Sequence, residues 1–174
     1  MKTLELEIGL IKHLDHRQNL IVPNVSNWSG LVNFEADILM LTKSGYANAF
    51  ELKVSKSDLK NDLKKTHIKE LDKIMHNGKR AYEFYYESLK HFYYVVPENL
   101  KECALDQIPS FCGLLVARKV EFDDFERIFF DTIKHPKKLF NKKWNEKERL
   151  ALARLGTMRI LTLKENLNRS LNCA

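Results

Sequence analysis

The sequence lacks several features that would assign it at once to a common class of protein. No apolar run approaches the roughly 20 residues of a membrane span, and the opening MKTLELEIGLIKHL carries acids where a signal peptide is apolar. The three cysteines are odd in number and lack the C-x-x-C spacing of zinc or redox sites. Glycine-rich phosphate loops and G-x-S-x-G elbows are absent as well. These absences predict a cytoplasmic protein with no membrane contact, disulfide or structural zinc.

Basic charge is present in modest excess. The 174 residues carry a formal net charge of +6. Residues 53–80 hold nine lysines and arginines against four acids, and residues 134–149 hold seven against two, so each stretch has a net charge of +5. Two interpretations stay open: the stretches are solvated helix faces, or they contact a polyanion such as nucleic acid.

The hydrophobic pattern predicts an α/β protein. Helical spacing of apolar residues (Leu4, Ile8, Ile11 and Leu14) predicts an opening helix. Strand composition occurs at 20–25, 32–41, 46–54, 91–97 and 111–119, and further helices are expected at 55–77, 79–90, 122–139 and 145–168. We therefore expect a central mixed β-sheet flanked by helices, with a core over residues 1–120 and a helical C-terminal extension over 121–174 packed on the same domain.

One predicted hairpin brings two acids together. In AFELKVSKSD at 49–58, alternation puts Glu51 and Lys53 on one face of a strand. A three-residue loop ending at Gly45 places Asp37 opposite Glu51, about 5 Å away. Two carboxylates at that distance repel by about 3 kcal/mol at an effective dielectric near 20. One ammonium does not neutralise them, so the pattern favours a divalent ion such as Mg²⁺, with the Leu52 carbonyl as a further oxygen ligand.

The neighbouring segments supply an acid and a row of bases. Glu7 of the opening helix shares a face with the apolar Ile11, whereas Glu5 sits nearer the flank, so geometry favours Glu7 as a third acid and leaves Glu5 as the alternative. After the hairpin, Ser55 is the expected N-cap of a helix. The lysines of that helix at four-residue spacing form one face suited to phosphate contacts: Lys56, Lys60 and Lys64.

The chain resembles a known nuclease superfamily. Asp37, thirteen intervening residues and Glu51-Leu52-Lys53 are similar to the D…ExK signature of the PD-(D/E)xK superfamily. More narrowly, FELKVSKSDLKNDLKK at 50–65 resembles the E-I-K-x-S-x-x-D-F-x-x-D-x-K segment of its MmcB-like DNA-repair branch, and HFYYVVPENL followed by a Gly-Leu-Leu strand extends the likeness over residues 4–118. The chain departs from the branch at Glu35, at Lys65 and in the length of residues 65–90.

The resemblance implies a restriction-endonuclease-like core and a Mg²⁺- or Mn²⁺-dependent deoxyribonuclease acting in repair, recombination or a mobile-element context. It implies that Asp37, Glu51 and the Leu52 carbonyl bind the metal, and that Lys53 orients the attacking water. Glu7 matches the helix acid of many members. Ser55, Asp58 and Lys64 match helix positions of this branch, where the resemblance implies that they order the helix start or contact a phosphate.

Two other functions stay open. One is a non-catalytic nucleic-acid-binding module that partners another enzyme. The other is an interaction protein that uses the C-terminal helical region, where residues 145–168 suit a homodimer. Cleavage with metal, binding without products, and absent nucleic-acid binding would separate the three.

Overall fold

The described residues form one six-stranded sheet with helices on both faces. A computed structural model describes residues 1–77, 88–122 and 125–172. The strands are β1 (Leu20–Val25), β2 (Ala36–Leu41), β3 (Ala47–Leu52), β4 (Leu89–Pro97), β5 (Gly113–Phe122) and β6 (Phe125–Lys134). The α-helices are α1 (Thr3–His13), α2 (Lys56–Asp62), α3 (Thr66–Asn77), α4 (Lys101–Gln107) and α5 (Glu146–Asn172). The predicted α/β fold, with a mixed sheet and a C-terminal helix, is confirmed.

The strands follow chain order across the sheet. β1, β2 and β3 form an antiparallel meander, β3, β4 and β5 run parallel, and β6 is antiparallel to β5. The connection from β3 to β4 contains α2 and α3, and the connection from β4 to β5 contains α4. Parallel neighbours require such crossovers, whereas the antiparallel β2 and β3 are joined by the short loop at 42–46. The candidate site lies where the meander meets the first crossover.

Each face of the sheet has its own hydrophobic core. On one face α2, α3, α4 and α5 cover the strands, and the fully buried contributors include Leu39, Ala49, Phe92, Leu59, Leu71 and Leu152. On the other face α1 covers Ile38, Phe50 and Leu115 with Leu6 and Leu10. Strands buried on both sides explain why β3 is buried along its whole length.

Helix α1 forms where it was predicted, but the predicted stripe is only half buried. Its members Ile11 and Leu14 pack partly buried against the core. Leu4 and Ile8 are exposed, and Leu6 and Leu10 are the fully buried residues. The helix lies against β6, where a Cβ on Gly9 would come within 3.2 Å of Ile128. This close approach turns the face with Leu6 and Leu10 into the sheet.

The predicted single helix over 55–77 is two helices. α2 ends at Asp62, and the amide of Lys65 donates to the Asp62 carbonyl in a turn before α3 begins at Thr66. The Asp62 side chain is buried and accepts a hydrogen bond from Tyr94 of β4, which favours a turn at this point. The lysines at 56, 60 and 64 are all exposed, but Lys64 follows the end of α2, so the three do not lie on one continuous helix.

The prediction of a helix over 122–139 was wrong. Residues 125–134 form β6, which pairs with β5 from Phe122↔Phe125 onward. Cross-strand ion pairs join Arg118 to Asp131 and Lys119 to Glu126, each at 2.7 Å. Phenylalanines three and four residues apart imitate a helical period here. The proposed boundary at residue 120 falls inside β5, and the sheet continues beyond it.

The helix predicted over 79–90 falls mostly outside the described residues, and its tyrosines at 82, 85 and 86 are among those not described. Its described end belongs to a strand, because Leu89 and Lys90 open β4. The predicted helix over 145–168 is confirmed as α5. It packs on β1, where a Cβ on Gly156 would lie 3.3 Å from Val22. None of the helices in the described ranges is both long and apolar enough to cross a membrane.

Candidate catalytic site

The β2–β3 hairpin has the predicted register. Ile38 pairs with Phe50, and Leu39 pairs with Ala49. Gly45 has the positive φ of 89° that the three-residue loop requires. Beyond the last paired residues, the Asp37 carboxylate crosses to β3, and its Oδ2 accepts a hydrogen bond from the Leu52 amide at 2.8 Å. The sequence therefore predicted correctly that the hairpin brings Asp37 to the end of β3.

Lys53 lies at the centre of a group of three carboxylates. Its Nζ is 2.8 Å from Glu51 Oε2, 3.1 Å from Asp62 Oδ1 and 3.5 Å from Asp37 Oδ2. The Glu51 side chain is 1% exposed, whereas the Asp37 side chain is 40% exposed and gives the group its contact with solvent. The structure thus brings together Asp37, Glu51 and Lys53, as the sequence predicted, and adds Asp62.

Two charged side chains of this group were not among the predicted site residues. Asp62, at the last position of α2, accepts a hydrogen bond from the buried Tyr94 hydroxyl at 2.8 Å. Lys65 pairs with Asp62 and lies 3.9 Å from Glu51 Oε2. The signal was present, since Asp62 matches the second aspartate of the segment at 50–65. Tyr94 is the β4 residue that pairs with Glu51 in the parallel register.

The surroundings of Glu51 stabilise its ionised form only weakly. Burial, and then the charge of Asp37, raises the pKa of Glu51 to about 8. Burial acts to lower the pKa of Lys53, but the Glu51 and Asp37 carboxylates outweigh it and raise that pKa. For Asp62, burial is outweighed by the hydrogen bond from Lys65 and the charge of Lys53, which lower its pKa. Three carboxylates against two ammonium groups favour one further positive charge at Glu51.

The donor set fits a hard divalent cation. Among the described residues, no group donates a hydrogen bond to the buried Glu51 Oε1, and carboxylate oxygens are the ligands that Mg²⁺ prefers. Within residues 1–77, 88–122 and 125–172, no three His, Cys, Asp or Glu side chains are arranged to hold a metal ion. Mg²⁺ sites commonly use one or two carboxylates and complete their shell with water and substrate phosphate. Asp37 and Glu51 meet that smaller requirement.

The two candidate helix acids differ in their surroundings. Burial, and then the charge of Asp37, raises the pKa of Glu7, which places Glu7 within electrostatic range of the group even though α1 packs on the opposite sheet face. Glu5 Oε2 instead accepts a hydrogen bond from the Lys2 amide at 2.7 Å, which lowers the pKa of Glu5. Of the two, Glu7 is the acid whose pKa is raised by the charge of Asp37.

The predicted nucleic-acid contacts lie beside the group rather than in it. Ser55 caps α2, because its Oγ accepts a hydrogen bond from the Asp58 amide at 3.1 Å. The lysines at 56, 60 and 64 are exposed on α2 and the turn after it. They are available to a large anion that approaches Asp37 from solvent.

His67, at the start of α3, provides a test of the packing beside the site. Its ring stacks on Phe34 at 4.8 Å, and burial lowers its pKa to about 4. A folded-state pKa below the ordinary value of about 6.5 makes the neutral ring stabilising above pH 6.5, and that stabilisation is lost as the pH falls toward 4. Between pH 7 and pH 5, we expect the free energy of unfolding of the parent protein to fall by about 2 kcal/mol more than that of His67→Phe.

Urea unfolding of both proteins at the two pH values measures this difference. The comparison cancels titrations that both proteins share, such as that of Glu51. A difference in unfolding free energy that is the same at pH 5 and pH 7 would show that His67 is not buried as a neutral ring.

Comparisons with known proteins bear on the fold. No family model matches the sequence, and no curated protein matches it. A solved structure, that of a protein of unknown function from Silicibacter pomeroyi, aligns over 97% of this chain and 92% of its own with a TM-score of 0.57 and 16% sequence identity. At that identity the likeness shows a shared fold over nearly the whole chain.

Proposed function

We propose that the protein is a metal-dependent nuclease that hydrolyses phosphodiester bonds of DNA, as expected for a PD-(D/E)xK enzyme in a repair, recombination or mobile-element context. The observation that carries the proposal is the convergence of Asp37, Glu51 and Lys53, with the buried Glu51 Oε1 lacking a hydrogen-bond donor among the described residues. A surface ion pair would not bury a carboxylate in this state, because an unpaired buried oxygen is costly.

The residues supply the functions that phosphodiester hydrolysis needs. A bound Mg²⁺ or Mn²⁺ would make a water more acidic and polarise the phosphate. Asp37 and Glu51 provide its side-chain ligands, and Leu52 provides the proposed main-chain oxygen. Lys53 is fixed by Glu51 and Asp62 at 2.8 and 3.1 Å, so its ammonium is held in place to orient a water and stabilise charge on the phosphate. Asp62 is thus a positioning residue for Lys53.

The surroundings of the site suit a polyanion. The exposed Lys56, Lys60 and Lys64 begin directly after β3 and extend the positive charge away from the carboxylates. Lysines placed in this way neutralise phosphates without reading sequence. We propose that they contact the backbone of DNA next to the scissile bond.

Metal binding is the first test of the proposal. Calorimetric titration with Mn²⁺ should show one site per chain in the parent protein. Glu51→Gln and Asp37→Asn should weaken that site at least about 10-fold, because loss of a supporting group alone typically costs 10- to 100-fold. Glu102→Gln is a matched control, since its side chain is 83% exposed on α4.

Two outcomes would contradict the metal site. One is the absence of Mn²⁺ binding by the parent protein at millimolar concentrations. The other is equal weakening by Glu51→Gln and Glu102→Gln, which would place the ion on the surface.

The second candidate is a nucleic-acid-binding module without catalysis. Its support is the position of the Lys53 ammonium, which contacts all three carboxylates and already offsets part of their charge. Such a module would bind DNA in a salt-sensitive manner and give no products in Mg²⁺ or Mn²⁺.

We also propose that two copies of the chain pair through α5. The C-terminal half of α5 carries four leucine and isoleucine side chains at spacings of three and four residues. Each is more than half exposed: Ile160, Leu163, Leu167 and Leu171. Such a stripe is expected to bury itself against another element. A second copy presents the same stripe, and an isologous pair satisfies both. The short stripe places the interface at the low end of standard size, so the dimer should be concentration-dependent.

Sedimentation across a concentration series tests the pairing. The double variant Leu163→Glu/Leu167→Glu should be monomeric at concentrations where the parent protein is dimeric. Thr162→Glu/Asn166→Glu adds the same charge at neighbouring exposed positions of α5 and should leave the dimer intact. A parent protein that is monomeric throughout would contradict the proposal.

A further inference from the structure

One aromatic side chain on the loop between β1 and β2 is almost wholly in solvent. Trp28 is 92% exposed on a short 3₁₀ turn (Asn27–Ser29) between β1 and β2. The other tryptophan, Trp144, is 3% exposed and donates its indole hydrogen bond to the Ser88 carbonyl at 2.7 Å. Large aromatic side chains usually contribute to stability by burial. An indole left in water contributes little to folding and suggests a binding role.

The turn that carries Trp28 is fixed at both ends. Asn24 and Gly30 both have left-handed backbone conformations, with φ of 53° and 70°. The Arg159 guanidinium, from α5, donates a hydrogen bond to the Asn24 carbonyl. The loop is therefore anchored to the helix that packs on β1, and the indole is presented from a defined position.

The same loop borders a groove that leads to the carboxylates. Asn27, Asn33 and Lys65 line a cavity of about 440 Å³. Ser26, Asp37 and Arg159 line a second one of about 210 Å³. Glu35 lines both, so the two cavities adjoin at that residue. The two adjoining cavities form a groove whose lining includes Lys65 and Asp37 of the site, and Ser26 and Asn27, which directly precede Trp28 in the chain.

The chemistry of the groove suits bases more than a duplex backbone. It mixes acids and bases and is rich in amides, and the buried Asn33 Oδ1 lacks a hydrogen-bond partner among the described residues. Tracking a duplex calls for a surface of one positive sign, whereas recognition of unpaired nucleotides combines aromatic stacking with polar contacts to base edges.

We propose that this groove binds single-stranded or unpaired DNA, with Trp28 stacking on a base next to the phosphate that approaches Asp37. The inference rests on the proposed nuclease function for the identity of the scissile phosphate, but the stacking site itself does not depend on cleavage. Arg159 lines the same cavity as Asp37 and would contact a backbone phosphate beside that acid.

Binding in EDTA, where no metal-dependent cleavage occurs, tests the stacking site alone. Titration with an oligothymidylate should quench the tryptophan emission of the parent protein, since Trp28 is accessible and Trp144 is buried. Trp28→Ala should weaken single-strand binding by about 5- to 150-fold, the range typical of one stacked base. Trp28→Phe should retain part of the affinity, and a blunt duplex should bind equally to parent and Trp28→Ala.

Phe122→Ala is the matched control, because Phe122 is an exposed aromatic at the β5–β6 hairpin. It should bind oligothymidylate as the parent protein does. An oligouridylate arm compares RNA with DNA: stronger binding of the ribo-oligomer would overturn the assignment to DNA.

The inference is overturned if the parent protein does not bind single strands, or if Trp28→Ala binds them as tightly as the parent. Those results leave the metal and cleavage tests untouched. Conversely, loss of binding in Trp28→Ala together with no cleavage by the parent protein would support the stacking site and contradict the proposed nuclease function.

Discussion

Replacing Lys53 with methionine is expected to destabilise the protein by about 3–5 kcal/mol, the cost of removing one partner from a buried ion pair. The ammonium neutralises Glu51 at 2.8 Å and Asp62 at 3.1 Å, both of which are buried. Without it, Lys65 is the remaining cation near these carboxylates in the described part of the chain, and it lies 3.9 Å from Glu51. Guanidinium unfolding at pH 7.5 measures the loss.

A second substitution shows whether the loss is electrostatic. Lys53→Met/Glu51→Gln removes a buried acid with the base and should recover much of the lost free energy of unfolding. Lys60→Met, at an exposed position on α2, should change stability by no more than about 0.5 kcal/mol. If Lys53→Met unfolds like the parent protein, the buried carboxylates are not held by Lys53.

Glu51→Gln is expected to reduce metal-dependent cleavage of DNA by at least about 100-fold while leaving the fold intact. Loss of one preorganised polar group at a reacting centre typically costs 10²–10³ in rate, and Glu51 is proposed both to bind the metal and to hold Lys53. Its carboxyl already has a pKa raised to about 8, by burial and then by Asp37. The neutral amide keeps the shape of the side chain and removes one of three carboxylates that face two ammonium groups, so stability should not fall.

Initial rates on a labelled oligonucleotide, measured for parent, Glu51→Gln and Glu102→Gln, give the comparison. The control removes an exposed carboxylate of the same type on α4. Unfolding curves of all three proteins show whether a lower cleavage rate is due to unfolding of the variant. Equal rates for parent and Glu51→Gln would mean that Glu51 does not take part in the reaction.

Local sequence rules were sufficient for the part of the site that lies in one hairpin. Gly45 sets the loop, the loop sets the register, and strand alternation then puts Glu51 and Lys53 on one face. Asp37 follows from the same register. These residues are adjacent in structure because they are close in sequence.

The rest of the site depends on tertiary packing that no single segment specifies. Asp62 turns inward because α2 ends against β4, where the Tyr94 hydroxyl donates a hydrogen bond to it. β6 was predicted as a helix since its phenylalanines fit both periods, and only pairing with β5 decides between them. The β1–β2 loop that carries Trp28 is likewise held by α5, through the hydrogen bond from Arg159 to the Asn24 carbonyl.

Cleavage of labelled DNA by the unmodified protein, in parallel reactions with Mg²⁺, Mn²⁺ and EDTA, tests the central claim most directly. Single-stranded, duplex and branched substrates belong in the same experiment. The carboxylate and lysine group predicts products with either metal and none in EDTA, with the single strand or unpaired region cut first. Absence of products from every substrate, or equal cleavage in EDTA, would contradict it.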